Sequence, residues 1–528
     1  MFWADKVVNE IKERQQDRIK AGKTLIIRDE KTLSGRVHIG SLRGVAIHGI
    51  ISEILSEQGI KNKYLFEFND FDPMDGLPSN LDQEKFLPYM GRPLYEAPSP
   101  DGKAKNYAEY FANEFAQVIK DAGFTPEHYR ASDLYKSGKY NETIKLALEN
   151  AKRIREIYKE VSNSDKPSDW MPVQMVCEKC GKIGTTKAIS FDGKEVEYVC
   201  EENMVTWAKG CGHKGKSSPF DGNAKLPWKV EWAAKFKVLE VDIEGAGKDH
   251  STKGGSRDIS EKISREIFKY QPPFNIPYEF FQVGGKKMSS SKGSGSSSRE
   301  IADLLPSELL RLLLLGKDAK KVIDFIPDGD TIPIIYDTYD KMAQDYFKNE
   351  ETDYSRIFKL LHAGHEEKLA QRFLPRFSQI AFIAQMPHFD NFEAVAKLKE
   401  EPLTEDDKTE VEYRSGYAKG WLDKFAPENY RYVLQEEVVP EGAKNFSQEQ
   451  KDALQMILDY IKTQEKLDGQ ELHTKLHDIR KETEINPKDL FSAIYLSFLG
   501  KESGPKAGWF LSVLDKELLE KRLSEVIR

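Results

Sequence analysis

The sequence predicts an α/β plus all-α protein, in which an open parallel sheet with an insertion is followed by a region of helices. Residues 23–28 have the apolar pattern of a buried strand, residues 40–55 that of an amphipathic helix, and residues 63–68 that of a second strand. A strand, a helix and a strand in this order form the βαβ unit that begins parallel sheets. From residue 337 onward the pattern predicts only helices, interrupted by prolines.

The middle of the chain separates two halves of this predicted sheet. Residues 80–168 are typical of loops and helices, including an amphipathic helix over residues 141–162. Strand-like segments then resume near residues 228–241 and 279–283, and a helix over residues 304–315 leads into the C-terminal region. Breaks between the later helices are expected near Pro387, Pro402, Pro427, Pro440 and Pro487.

Composition limits the class of protein. A chain of 528 residues is too long for one hydrophobic core, so several domains are expected. No apolar run approaches the roughly 20 residues that span a bilayer, and the N-terminus leads directly into a charged helical pattern rather than a signal peptide. We therefore expect a cytoplasmic protein with no membrane partner. The net charge of −8 disfavours general affinity for nucleic acid but leaves room for an RNA partner that meets a local basic face.

Two short segments carry the clearest chemistry. Residues 34–40, Ser-Gly-Arg-Val-His-Ile-Gly, place His38 and Gly40 at the turn between the first strand and its helix. Residues 287–293, Lys-Met-Ser-Ser-Ser-Lys-Gly, place two lysines around a run of hydroxyls, and we call them the second motif. An imidazole, free N–H groups at a helix start and two ammonium groups can stabilise charge that grows on phosphate oxygens. Together they predict a nucleotide site at which a nucleophile attacks the α-phosphorus.

The cysteines predict a metal site. All four lie between residues 176 and 212, and the first two form a CxxC pair. The four are Cys177, Cys180, Cys200 and Cys211. Thiolates at this spacing can surround one tetrahedral Zn²⁺, whereas disulfides are disfavoured in a reducing cytosol. We predict a structural zinc ribbon over about residues 171–216, with His213 as an alternative fourth ligand.

Further segments complete a pattern that covers nearly the whole chain. They are residues 2–5 (FWAD), 31–35 (KTLSG), 226–232 (LPWKVEW), 247–256 (GKDHSTKGGS), 277–280 (PYEF) and 500–505 (GKESGP). With the His38 segment, which is similar to a HIGH motif, and the second motif, which is similar to KMSKS, they resemble class I lysyl-tRNA synthetases of archaea and some bacteria. The resemblance implies ATP-dependent attachment of L-lysine to tRNA(Lys) through a lysyl-adenylate. It also implies ATP, Mg²⁺ and structural Zn²⁺ as cofactors and a monomeric state.

The resemblance also implies a domain organisation, with a Rossmann catalytic domain and an all-helical anticodon-binding domain. The expected segments are residues 1–80 and 221–295 for the two catalytic halves, 81–220 for the insertion, 296–344 for a stem-contact segment, and 345–528 for the anticodon-binding domain.

Site residues follow from the matching motifs. Those expected to be catalytic are His38, Gly40, Ser41, Lys287 and Lys292. Those expected to bind ATP are Ser34, Gly35, His38, Gly40, Gly247, Asp249, Met288, Ser289, Ser290, Ser291 and Lys292. Those expected to bind the amino acid are Thr32, Asp70, Trp228, His250 and Tyr278. Asp70 is chosen over Asp72 because both follow a predicted strand, where ligand-facing residues concentrate, and a lysine ammonium needs an acceptor.

The sequence departs from the family pattern at several positions. Leu33 replaces a proline, and Ser41 occupies the fourth position of the His38 segment that is similar to HIGH. Ser290 stands where the second lysine is usual and Lys292 lies two positions beyond it, so the residue that meets the γ-phosphate stays open. Some relatives carry histidines where this chain has Ala104 and Tyr110, which disfavours a second metal site.

Three other functions remain compatible with parts of the sequence. One is a glutamyl-type class I synthetase, which would show a guanidinium for the side-chain carboxylate. Another is a nucleotidyltransferase without tRNA, although such enzymes have no need of a long helical C-terminal region. The third is a zinc-ribbon RNA-binding protein with a silent nucleotide fold, which the presence of His38, Lys287 and Lys292 disfavours.

Overall fold

The structure is a computed structural model that describes residues 1–284, 297–363, 369–386 and 390–528. It comprises two compact units, Met1–Phe325 with Glu351–Gly364, and Ile326–Glu350 with His365–Arg528. The predicted domain boundaries are finer than this division and stay predictions. Among the described residues, no helix combines the length and the apolar character that crossing a bilayer requires.

The strands are short apart from the first two. They are β1 (Leu25–Thr32), β2 (Asn62–Asn69), β3 (Glu127–Arg130), β4 (Gln174–Met175), β5 (Thr186–Phe191), β6 (Val196–Cys200), β7 (Lys214–Ser217), β8 (Ala224–Lys225), β9 (Ala246–Gly247), β10 (Pro277–Tyr278), β11 (Phe281–Val283) and β12 (Ile323–Phe325).

The helices of the first unit surround and separate these strands. They are α1 (Trp3–Arg14), α2 (Gln16–Lys20), α3 (Gly40–Glu57), α4 (Gln83–Phe86), α5 (Tyr107–Asp121), α6 (Ala131–Lys136), α7 (Asn141–Glu149), α8 (Ala151–Ser162), α9 (Trp228–Val238), α10 (Lys248–Ser251), α11 (Ser256–Glu266), α12 (Ser298–Ala302) and α13 (Ser307–Leu315), followed after a passage through the second unit by α15 (Asp353–Leu361).

The helices of the second unit follow one another along the chain. They are α14 (Thr331–Phe347), α16 (Phe377–Ile383), α17 (Asn391–Lys399), α18 (Glu405–Lys424), α19 (Gln448–Thr463), α20 (Gly469–Thr483), α21 (Pro487–Leu499), α22 (Ala507–Val513) and α23 (Lys516–Ile527).

The central sheet is parallel and has the order of a Rossmann-like fold, as predicted. β1 pairs with β2 and β2 with β3, while Ile27 on the other side of β1 bridges Ile243, which in turn bridges Phe274. The chain therefore winds outward from β1 in one direction and, after the insertion, returns to its other side. The crevice between the carboxyl ends of β1 and the Ile243 segment is the topological switch point, where ligands bind in such sheets.

The predicted βαβ unit is confirmed. β1 and β2 run in register from Leu25 opposite Asn62 to Thr32 opposite Asn69, with α3 between them in the chain. α3 is buried along most of its length, including the polar side chains of Arg43 and His48. It is therefore an internal helix, and its first turn opens toward the switch point.

The strand predicted near residues 228–241 is wrong, because Trp228–Val238 form α9 directly after Pro227. The residues from Val230 to Phe236 are all buried, including Glu231 and Lys235, so no exposed face marks the helical period. A continuous buried run does not distinguish a helix from a strand by periodicity alone.

Two smaller differences concern the insertion. The four residues of β3, Glu-His-Tyr-Arg, have no apolar alternation, and the sequence therefore did not predict this strand. The helix predicted over residues 141–162 is two helices, α7 and α8, which meet at Asn150. The side-chain amide of Asn150 donates to the carbonyl of Leu146 at 2.8 Å.

The second unit is helical throughout its described regular structure, as predicted. Its core holds Trp421, which donates its indole N–H to the carbonyl of Pro327 at 2.7 Å. The buried Arg414 guanidinium pairs with Asp340 at 2.6 Å. Pro487 is the first residue of α21, where its missing N–H removes no helical bond. The break expected at Pro387 lies outside the described residues.

Candidate functional site

A cavity of about 360 Å³ opens at the switch point of the central sheet. The carboxyl end of β1, the first turn of α3 and the segment from residue 244 to 250 form its walls. The predicted site residues that line it are Thr32, His38, Gly40, Ser41, Trp228, Gly247, His250 and Tyr278. Residues from four separate parts of the chain are thus brought to one place.

His38 and Gly40 are held against each other at the start of α3. A Cβ atom at position 40 would lie 2.9 Å from Nδ1 and 3.0 Å from Cε1 of the His38 imidazole. The Ser41 N–H donates to the His38 carbonyl at 3.1 Å and tightens the turn. Glycine at position 40 therefore allows the imidazole to lie over the helix start, beside N–H groups that favour an anion.

The second motif lies outside the described residues, which applies to Lys287, Met288, Ser289, Ser290, Ser291 and Lys292. Both of its flanks are described. Before it, the carbonyl oxygen of Phe281 lies 3.6 Å from the Cβ position of residue 40. After it, Ser297 forms an antiparallel bridge with His38, and the Ser298 N–H donates to the Val37 carbonyl at 2.9 Å. The two flanks therefore meet beside the His38 turn.

Aromatic rings form one wall of the cavity. Trp228 stacks on Trp232 with ring centroids 6.0 Å apart and an interplanar angle of 15°. His250 meets Trp228 edge-on at 5.2 Å. Trp228 keeps 43% of its surface exposed, which is unusual for a side chain of this size. Such a wall suits an aliphatic stem and the cation at its end.

Asp29 and Tyr278 converge on one point of the cavity. A Cβ atom at position 44 would lie 2.8 Å from Oδ2 of Asp29 and 2.9 Å from the hydroxyl of Tyr278, so both oxygens occupy space that only glycine leaves open. The neighbouring His48 accepts the Gly245 N–H at Nε2, 2.7 Å away, and its Nδ1 lies 2.7 Å from the Gly44 carbonyl. The Asp29 carboxylate lies 3.5 Å from the same Nδ1, and although burial lowers the pKa of His48, this carboxylate raises it above its usual value.

Two further cavity-lining carboxylates, Glu30 and Glu244, belong to a buried ion network. Glu244 pairs with Arg28 at 2.8 Å, and Glu30 pairs with Lys235 at 2.5 Å. Glu67 lies between the two cations, 3.0 Å from Arg28 and 2.7 Å from Lys235. Burial alone would raise the pKa of Glu30, but the Lys235 ammonium and the Arg28 guanidinium hold this pKa far below its usual value. Glu30 is therefore ionised.

The network continues toward the insertion. Lys225 pairs with Glu231 at 2.5 Å and with Asp72 at 3.1 Å, and Asp72 accepts the Thr32 hydroxyl at 2.7 Å. The network as a whole holds five carboxylates and three cations. The carboxylates are Glu30, Glu67, Asp72, Glu231 and Glu244. Its excess of negative charge beside the cavity favours a cationic ligand over an anionic side chain.

Four predicted site residues are not among the described residues that line the cavity, namely Ser34, Gly35, Asp70 and Asp249. The Ser34 carbonyl accepts the Tyr107 hydroxyl at 3.0 Å. The Asp70 carboxylate accepts the Ser132 N–H at 2.9 Å and the Ser132 hydroxyl at 2.7 Å, and burial raises its pKa. Asp70 therefore caps the start of α6.

Asp29, Glu30, Trp232 and Glu244 also line the cavity, although the motifs did not indicate them. A signal for the first two was present, because Asp29 and Glu30 lie near the carboxyl end of the first predicted strand. The same strand-end rule was applied only to Asp70 and its neighbour after the second strand. Glu244 follows a strand segment that the sequence did not reveal.

The four cysteines form a compact cluster at the small antiparallel sheet of β5, β6 and β7. Their Sγ atoms all lie within 4.8 Å of one another, including Cys177 to Cys211 at 3.6 Å and Cys180 to Cys200 at 3.7 Å. Tetrahedral coordination with Zn–S bonds of about 2.3 Å requires S···S separations of roughly 3.8 Å, so the thiols fit a metal ion. His213 lies instead with its Nε2 3.8 Å from Glu178.

The second unit contains a cavity of about 690 Å³. Its walls include the rings of Phe382, Tyr430, Tyr432 and Trp509. Three cationic side chains also line it, Arg376, Lys397 and Lys506, against one carboxylate, Glu400. Residues 503–505 of the predicted GKESGP segment form part of the same wall. Arg376 pairs with Asp337 and Lys397 lies 3.9 Å from Glu393, whereas no ion pair of Lys506 is found among the described residues. Aromatic rings and an ammonium group in a cavity of this size suit a nucleobase with its phosphate.

Comparisons with known proteins identify relatives of this chain. The family model described as tRNA synthetases class I (K) matches residues 1–364, and a model described as anticodon binding domain matches residues 424–527. A lysine–tRNA ligase of Methanosarcina barkeri is 33% identical over 547 residues, covering 99% of this chain and 97% of the relative. A lysine–tRNA ligase of Methanocaldococcus jannaschii is 34% identical over 550 residues, covering 99% of each. Among solved structures, a glutamate tRNA ligase from Elizabethkingia meningosepticum aligns with a TM-score of 0.42 and 12% identity, covering 96% of this chain and 99% of that one.

Proposed function

The chain belongs to the class I lysyl-tRNA synthetases, and we propose that it joins L-lysine to tRNA(Lys) at the switch-point cavity through a lysyl-adenylate. The convergence of eight motif residues on this one cavity carries the proposal. Membership of this family decides against the glutamyl-type enzyme, the nucleotidyltransferase and the silent RNA-binding protein that the sequence left open.

In the first step the lysine carboxylate attacks the α-phosphorus of ATP. A carboxylate O–P bond forms, the bond to the β-phosphate oxygen breaks, and diphosphate leaves with the electron pair. We assign His38, which lines the cavity, to donate to the phosphate oxygens, and the N–H groups at the start of α3 would add a positive end to the same side. In the second step a ribose hydroxyl at the tRNA 3′ end attacks the lysyl carbonyl and AMP leaves. Mg²⁺, when bound with ATP, neutralises charge on the leaving phosphates.

Asp29 and Tyr278 are the residues we assign to the ammonium of the substrate. Their oxygens both lie within 3 Å of the Cβ position of Gly44, where the Asp29 carboxylate has the His48 imidazole as its neighbour at 3.5 Å. The tryptophan wall accommodates the four-carbon stem. Excess negative charge in the network behind the cavity disfavours the carboxylate of glutamate. This assignment replaces the sequence-based choice of Asp70.

The assignment of Lys287 and Lys292 to the triphosphate rests on the motif and on its described neighbours. The chain enters the undescribed stretch beside Gly40 and leaves it at Ser297, which bridges His38.

The four-cysteine cluster is proposed to hold a structural Zn²⁺. Four thiolates leave no coordination position for a substrate, and Cys200 is fully buried beside Ile183 and Val196 in the hydrophobic cluster of the insertion. The metal would cross-link β6 to the turns on both sides of it.

The cavity of the second unit is the place we assign to an unstacked base of the anticodon. Tyr430, Tyr432 and Trp509 offer stacking surfaces, and the Lys506 ammonium supplies charge for a phosphate.

A panel of amino acids in ATP–diphosphate exchange, with and without tRNA(Lys), tests the function. Exchange is expected with lysine and not with glutamate. Exchange with glutamate alone would overturn the assignment, and exchange with neither amino acid in the presence of tRNA would remove the adenylation step.

A further inference from the structure

A patch of lysines over aromatic rings lies next to the catalytic cavity. It consists of Tyr158 in α8, Lys166 and Trp170 in the loop after α8, and Lys229 in the first turn of α9, and we call it the lysine platform. The Lys166 ammonium lies 4.9 Å from the ring centroid of Tyr158 and 5.4 Å from that of Trp170. The Lys229 ammonium lies 5.6 Å from the same Tyr158 ring. Two positive charges are therefore gathered over one ring.

These two charges are not neutralised by the protein. In the part of the chain that the structure describes, neither ammonium has an ion-pair partner. The carboxylates closest in sequence are used elsewhere, since Asp165 pairs with Lys159 and Asp169 pairs with Lys187. Burial and the repulsion from Lys166 both lower the pKa of Lys229. Two ammonium groups held close together repel each other, and an anionic ligand bound between them would relieve that repulsion.

The platform adjoins the cavity wall at the start of α9. Lys229 directly follows Trp228, the exposed ring of that wall, and consecutive helix positions point about 100° apart. The Ser260 hydroxyl donates to the Lys229 carbonyl at 2.8 Å, and the Arg155 guanidinium donates to the Trp170 carbonyl at 2.7 Å. Both sides of the platform are thus fixed by bonds from neighbouring helices, and an anion bound there would lie beside the amino-acid site.

We propose that the lysine platform binds the single-stranded 3′ end of the tRNA where it enters the cavity. The two ammonium groups bind phosphodiesters, and the partly exposed Trp170 ring offers a stacking surface for an unpaired base. Single-stranded RNA presents both groups at the spacing of one nucleotide. The inference rests on the proposed function, because it supplies the path by which the acceptor hydroxyl reaches the lysyl-adenylate.

The test is a binding comparison that needs no catalysis. The double variant Lys166→Gln with Lys229→Gln is compared with the wild type for two RNAs, intact tRNA(Lys) and the same tRNA lacking its last three nucleotides. The variant is expected to bind intact tRNA more weakly, with a slope of log affinity against log salt that is smaller by about 1.4, since each phosphate contact contributes about 0.7 for single strands. Binding of the shortened tRNA is expected to be the same for both proteins.

The matched control is Lys145→Gln, which removes an exposed lysine of the same unit that is paired with Glu149. It is expected to leave both RNAs unaffected. Equal weakening for intact and shortened tRNA, or no weakening at all, would overturn the proposal. An increased KM for ATP in the double variant would also overturn it, because the platform would then hold the nucleotide. If the wild type shows no lysine-dependent exchange, the proposed function fails, while the two binding curves still decide the platform.

Discussion

Replacing Asp29 by asparagine should impair lysine binding without affecting the fold. The Asp29 side chain is nearly buried, and its Oδ2 faces the same point as the Tyr278 hydroxyl. Its Oδ1 accepts the Glu30 N–H at 2.8 Å, and an amide oxygen can keep that bond. The substitution therefore removes one interaction with a charged group, worth about 1.5–3 kcal/mol. At about 1.4 kcal/mol per factor of ten, the KM for lysine should rise about 10- to 150-fold.

The assay is ATP–diphosphate exchange in the presence of tRNA, with lysine varied at saturating ATP, together with thermal unfolding. The KM for ATP should stay unchanged. Asp70→Asn is the matched control, since its carboxylate bonds Ser132 and lies outside the described cavity lining. It should lower the free energy of unfolding by about 1–3 kcal/mol and leave the KM for lysine unchanged. A lysine KM within twofold of wild type for Asp29→Asn, or a large increase for Asp70→Asn, would refute the reasoning.

Three other perturbations separate the remaining parts of the site. Gly44→Ala should increase the KM for lysine, because the added Cβ would displace the Asp29 and Tyr278 oxygens that lie against this position. The control is Gly416→Ala, since no atom lies within 4 Å of its Cβ position. This control should stabilise its helix by about 0.5–1 kcal/mol and leave the KM for lysine unchanged. Equal lysine KM values for both would contradict the ammonium site. Cys200→Ser should lower the metal content and the melting temperature of the insertion, as measured by elemental analysis and calorimetry, and full metal retention would show that the cluster is not the site. Lys287→Ala and Lys292→Ala should each lower kcat of adenylation with little change in the KM for lysine, and an unchanged kcat in both would exclude the second motif from the chemistry.

The geometry of the first turn of α3 could be predicted from the sequence because its constraint is local. A side chain at position 40 would collide with the imidazole of His38, which is only two residues away. The short motif therefore contains both the histidine and the reason for the glycine. The βαβ unit is likewise a local pattern of apolar residues, and the structure confirms it. The cysteine cluster was predictable because the spacing of its first pair brings two thiols together in any compact turn.

The sequence did not single out Asp29, the residue that we assign to the substrate ammonium, for a topological reason. Asp70 and Asp29 both lie near the carboxyl end of a central strand, and the strand-end rule does not distinguish them. β2 is one strand away from the switch point, so Asp70 meets α6 and Ser132. β1 borders the switch point because the chain returns to its other side at Ile243. That return occurs more than 200 residues later and carries no local signal.

The sequence by itself determined the chemistry that this protein can perform, since its motifs name the imidazole, the glycine, the thiols and the lysines by residue type and spacing. Only the tertiary structure decided which charges lie around the cavity. Arg28, Glu67, Lys235 and Glu244 come from separate elements, and their pairing forms a network of buried ions behind the cavity. The physical reason is that electrostatic energy depends on distances of a few ångströms between side chains, and such distances between remote residues are set by packing and not by the order of the chain.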